Sequence, residues 1–163
     1  MIRKIEVERF TLSSSKPFDQ VVATLGSAVG HPDMTEFWKL TLQAQSDAEL
    51  QKTMEKGLGP TGLMLFAEFD HGAIVRSGTG RATPRMIRFV IGNPLIMREM
   101  AKHVPDAGSY APVTVLVDER ADGIYLSYDR MASFLAPYEN SAALKVAPDL
   151  DAKVEALLTS AAA

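Results

Sequence analysis

The chain has 163 residues, of which 47% are hydrophobic and 23% charged, a formal net charge of −3 and no cysteine. A chain of this length buries roughly 68–70% of the surface its unfolded form exposes, so a core stands without disulfide or metal staples. Lack of Cys excludes disulfide frameworks, thiolate nucleophiles and Cys-ligated metal centres, and the acidic balance argues against duplex binding, which draws on clustered Lys and Arg.

The opening "MIRKIEVERF" carries acidic residues where a signal peptide has its apolar core, and no later stretch approaches the about 18 apolar residues of a membrane span. A cytoplasmic single domain over residues 1–163 is therefore expected, with neither a membrane nor a nucleic-acid partner. Residues 2–12 alternate loosely, Ile5 and Val7 against Phe10 and Leu12, and predict a first strand with one irregular step. Phe18, Val21, Val22, Leu25 and Val29 then recur at helical spacing, between Pro17 and the stop signals Gly30 and Pro32. Asp33 with Glu36, and Ser46 with Glu49, are spaced as helix-capping pairs and predict two short helices. After "GLGPTG", the run "LMLFAEF" predicts a buried strand, which Ala73 to Arg76 would continue.

"SGTGRATP" predicts a loop and "RMIRFVI" the next strand. In "GNPLIMREMAKHVP", Asn93 is a good N-cap, Pro94 suits the first helical position, and Val104-Pro105 ends the helix. "VTVLVDERADGIYLSYD" predicts a hairpin turning near Asp122-Gly123. A short helical stretch near 131–136 and a last helix near 149–160 follow. The order is α+β, without regular βαβ alternation.

"FDHG", "IGNPLI", "VPDAGSYAPVTVLVDE" and "GIYLSYD", in this order and at these intervals, resemble the bacterial family known as domain of unknown function 302. The resemblance runs from about residue 63 to 136, and more loosely over Phe18 to Val29 and the last helix. It implies a β-α-β4-α fold, an antiparallel sheet with helices packed on one face, similar in topology to TATA-binding-protein-like folds without implying DNA binding. It also implies a homodimer. The stretch near 31–60 then reads as an inserted helical segment. The family's Asp-His pair falls on Asp70 and His71, its Gly-Asn-Pro turn on Gly92, Asn93 and Pro94, and its Tyr-Asn step on Tyr128. Two departures bear on any shared ligand: Ile74 and Val75 stand where small residues are usual, and Asp129 replaces the Asn.

Asp70-His71 is the first candidate for chemistry, because a carboxylate beside an imidazole can fix its tautomer and set it up as an acid or base near neutral pH. Neighbours on a strand point to opposite faces, so the pair needs a bend at Gly72 to meet. His71 is also the residue type of an axial haem ligand, with Met64, Met86 or Met97 as candidate walls. The helix start at Asn93 offers amides to an anionic or carbonyl group. Tyr128 and Asp129 could add a phenol and a carboxylate to the same cleft. Glu119 and Arg98 read as solvated surface groups. The Gly-x-Gly of "SGTGR" lacks a following helix, "HPD" at 31–33 lacks a basic helix before it, and the three His, at 31, 71 and 103, fit no zinc spacing.

These residues support three expectations. The first is a non-catalytic cytoplasmic homodimer binding an unidentified small molecule or cofactor near His71, Asn93, Tyr128 and Asp129. The second is an enzyme with Asp70 and His71 as its catalytic acid/base pair. The third is a protein-interaction module presenting Phe37 and Trp38.

Overall fold

In the computed structural model, which describes residues 2–163, the chain enters a sheet as strand β1 (Arg9–Ser14) and crosses it as helix α1 (Phe18–Ala28). Two short helices follow, α2 (Met34–Gln43) and α3 (Asp47–Lys56). Their caps are those the spacing predicts: Asp33 accepts from the amides of Thr35 and Glu36, and Ser46 from that of Glu49. The chain returns as β2 (Met64–Asp70), turns through α4 (His71–Arg76), and runs back as β3 (Met86–Gly92). Helices α5 (Pro94–Ala101) and α6 (Ala107–Tyr110) lead to the hairpin β4 (Val113–Arg120) and β5 (Gly123–Asp129). Helix α7 (Met131–Leu135), a 3-10 turn at Ala136–Tyr138 and the long helix α8 (Ser141–Ala162) complete the path.

All strand pairs are antiparallel, in the order β1-β5-β4-β3-β2. Alternation along each strand sorts the side chains. Phe10 and Leu12, Phe89 and Ile91, Val113, Val115 and Val117, and Ile124, Leu126 and Tyr128 pack into one core with α1, α5, α7 and α8. Their alternates, among them Arg9, Arg88, Thr114, Leu116, Ser127 and Asp129, lie on the opposite face. A smaller cluster of Phe37, Met54 and Met64 joins α2 and α3 to β2. Gly30 lets α1 end against this segment, because a Cβ there would fall 1.9 Å from the Gly57 carbonyl oxygen and 2.7 Å from Gly59 N. The fold is α+β, with the β-α-β4-α outline and extra helices between its strands.

Three element boundaries differ from the sequence expectation. Residues 2–8 are not strand: β5 is the sole ladder partner of β1 among the described residues, and it ends at Asp129, opposite Arg9. Ala73 to Arg76 do not continue β2 but form α4, since Asp70 accepts from the Ala73 amide and caps a helix there. The last helix starts at Ser141, eight residues before the expected start, because Asn140 caps it and buried Ala143 and Ala147 carry it through Pro148. Proline mimics a first turn in sequence, but packing on both sides tolerates it inside.

Candidate functional site

Asp70 and His71 stand at the sheet edge, where β2 passes into α4. The Asp70 carboxylate accepts from the Ala73 amide at 2.7 Å and lies 3.6 Å from Arg76 Nη2. The His71 ring instead stacks on Phe69, centroids 5.9 Å apart and planes within 6°. No hydrogen bond joins the two side chains among the described residues. The bend at Gly72 does occur: a Cβ there would sit 2.5 Å from Met86 N and 2.5 Å from Arg76 Nη1, so α4 folds tightly onto the start of β3. That bend spends Asp70 on the helix cap. Of the methionines considered beside His71, Met64 is fully buried under α2 and α3, and Met97 lines a cavity at the start of α5.

Asn93 has every side-chain group engaged. Its Oδ1 accepts from the amides of Leu95 at 2.9 Å and Ile96 at 3.4 Å, and its Nδ2 donates to the Gly62 carbonyl at 3.0 Å. The first-turn amides are thus held by the cap itself, while Pro94 contributes no N–H.

Tyr128 and Asp129 diverge. Tyr128, 1% exposed, points into the helical core and donates its hydroxyl to Asp151 Oδ1 at 2.6 Å. Burial, with Asp151 beside it, pushes the phenol far above its ordinary value of 10.0 and keeps it neutral. Asp129 emerges on the opposite face and pairs bidentately with Arg9 at 2.6 and 2.8 Å. Two strands, β4 and β3, separate Tyr128 from β2, which amounts to roughly 14 Å at normal strand spacing. His71, Asn93 and Tyr128 therefore do not meet in one cleft.

Asp151, absent from the sequence reading, organises the β5 end. It is fully buried on α8 and also accepts from the amides of Met131 at 2.7 Å and Ala132 at 3.1 Å, supplying to α7 the cap that Arg130 lacks. Arg130 stands over it, with Nε 3.9 Å from Asp151 Oδ2 and 2.9 Å from Glu155 Oε1, and Nη1 on Glu8. An acidic residue on a face otherwise made of Leu150, Val154, Leu157 and Leu158 was the available signal. Glu119, expected in solvent, accepts from the backbone and guanidinium of Arg85, which hold its carboxyl below its usual range. Arg98, likewise read as a solvated surface group, stays partly exposed and pairs with Asp47, tying α5 to α3.

One concavity has the character of a ligand site. It holds about 290 Å³ and is walled by Trp38, Phe66, Met97, Pro112, Val113 and Leu150, with Gly92, Asn93 and Pro94 at its base. Trp38 is 47% exposed and stands 6.4 Å, centroid to centroid, from Phe66. Phe37, expected exposed beside it, turns inward and is 4% exposed, edge-on to the indole. Among the described residues no group of three or more His, Cys, Asp or Glu side chains is placed to hold a metal ion, and no helix is long and apolar enough to cross a membrane.

The model of the family "Domain of unknown function DUF302" matches residues 45–161. The chain belongs to this family. A crystal structure of an uncharacterized conserved DUF302 protein from Bacillus stearothermophilus is similar with a TM-score of 0.65 and 12% identity, over 94% of this chain and 97% of that one. At that identity the likeness speaks for the fold. No curated protein matches this DUF302 chain. Within the matched range lie Asp70, His71, Asn93, Tyr128, Asp129 and Asp151, while Trp38, on α2, lies before it.

Proposed function

We propose that this DUF302 protein is a single-domain, non-catalytic module that binds a small, predominantly apolar molecule between the start of α5 and the Trp38 face of α2. The observation that supports it is the 290 Å³ cavity with its aromatic and aliphatic walls. Near this size, apolar walls supply affinity and a few polar groups supply orientation. Asn93 lines the cavity and fixes the α5 start beside it. The Asp70-His71 acid/base alternative has less geometric support, because the carboxylate is committed as a cap and the imidazole to Phe69. The reading keeps the cytoplasmic homodimer, without a nucleic-acid partner, expected from the sequence. Light scattering on a gel-filtration column tests the dimer against twice the 17.7 kDa chain mass.

The test of binding uses Trp38, the one tryptophan of the chain. Titration with hexanol to decanol should give a saturable blue shift of its emission, and Met97→Gln, close to the same volume but polar, should weaken the midpoint by about tenfold. A linear, non-saturating response that is equal in both proteins overturns the reading.

A further inference from the structure

The sheet face turned away from the core helices carries a second concavity of different character. One part, about 240 Å³, is lined by Arg9, Arg88, Thr114, Leu116, Arg120 and Ser127, among others. An adjoining part of about 210 Å³ shares Arg88, Thr114 and Asp129 with it and adds Ser109, Tyr110 and Phe134. Among the described residues, charges lining these two parts are matched with one exception. Arg9 pairs bidentately with Asp129, and Arg120 with Asp118 at 2.6 and 3.3 Å. Arg88, mid-strand on β3 and common to both parts, makes no hydrogen bond or ion pair among the described residues. Its cross-strand neighbours are Phe69 and Leu116, neither of which can accept from it. The Ser109 and Thr114 hydroxyls are likewise unpartnered among the described residues. Phe134, stacked on Tyr110 with centroids 4.8 Å apart, supplies an apolar wall.

We infer that this face binds a small organic carboxylate, its headgroup on the Arg88 guanidinium with Ser109 and Thr114 and its body against Phe134 or Leu116. A planar fork of donors matches a carboxylate in two parallel bonds. Charge decides between anions: one unmatched cation balances one negative charge, whereas a phosphate dianion would be left with a surplus beside Asp129 and Asp118. The site adjoins the apolar cavity at Pro112 and Val113 but takes its charged and hydroxyl groups from Arg88, Ser109 and Thr114, none of which lines that cavity.

The test is a titration of the ¹⁵N-labelled full chain with benzoate, and in parallel with inorganic phosphate, followed through the amides of Ser109, Thr114 and Leu116 and the Arg88 Nε–H signal. Saturable shifts with benzoate are expected. Arg88→Met should weaken them by at least about tenfold while the rest of the spectrum stays native, and Arg88→Lys should recover part of the loss, since it restores charge but not the fork. Met97→Gln should leave them unchanged, which separates this site from the apolar one. Absence of saturable shifts, or equal affinity in Arg88→Met, overturns the site. Tighter binding of phosphate than of benzoate overturns the carboxylate assignment.

Discussion

The ends of β5 and β2 carry the same kind of signal, a pair of adjacent polar residues closing an apolar strand, and the fold uses them in opposite ways. At the β5 end, Tyr128 turns inward to Asp151 and Asp129 outward to Arg9. At the β2 end, Asp70 becomes a helix cap and His71 lies on Phe69. The difference is position in the sheet. β5 sits between β1 and β4 with α7 and α8 packed over its end, so a polar group there is desolvated and has to be matched. β2 is an edge strand whose last three residues are exposed, so water can satisfy what the protein leaves free.

The largest effect should come from breaking the inner end. Asp151→Ala would leave the Tyr128 hydroxyl proton and the Ala132 amide without their acceptor, and the Met131 amide with only its 3.2 Å bond to Tyr128 Oη, at a cost of about 3–5 kcal/mol. For a chain of this size that lowers the melting temperature by roughly 6–20 °C, readable by calorimetry. An unchanged melting temperature would mean that water replaces the carboxylate.

Tyr128→Phe removes one partner and leaves both amides matched, so about 1–2 kcal/mol is expected. It sharpens the comparison through pH. The folded phenol is held above 10.0, so above that pH the unfolded chain releases a proton that the folded chain retains. The stability contributed by Tyr128 is complete below pH 10 and is lost as pH rises beyond it. Denaturant midpoints between pH 9 and 11 should therefore fall less steeply for Tyr128→Phe than for the wild type. Parallel slopes would place the phenol in contact with solvent.

At the outer end the effects should be small. Asp70→Ala removes the α4 cap and should cost about 0.5–2 kcal/mol. His71→Ala should stay within about 0.5 kcal/mol, as for a surface side chain without a buried partner. A larger loss for His71 than for Asp70 in urea unfolding would reverse the contrast and point to a role for the imidazole that stacking does not capture.

The legible parts of the molecule were those with local causes. The caps at Asp33, Ser46 and Asn93 rest on a side chain and an amide two or three residues away, so spacing alone reveals them. Strand β4 and hairpin partner β5 show in their alternation for the same reason. The candidate site was less legible, because its components come from distant segments. Trp38 and Leu150 reach one cavity from helices more than a hundred residues apart, and Phe37, beside Trp38, faces inward because α2 leans on Met64.

By itself the sequence determined the α+β class, the family resemblance, most of the helices and strands, and the residues worth testing. Tertiary structure alone decided which of those residues share surroundings. Asp70 and His71 are adjacent in the chain yet serve different neighbours, whereas Tyr128 and Asp151, 23 residues apart, form one buried unit. Chain adjacency sets the direction in which a side chain leaves the backbone. Burial and the partner across the core set what it must bind, and these arise only when the sheet and α8 come together.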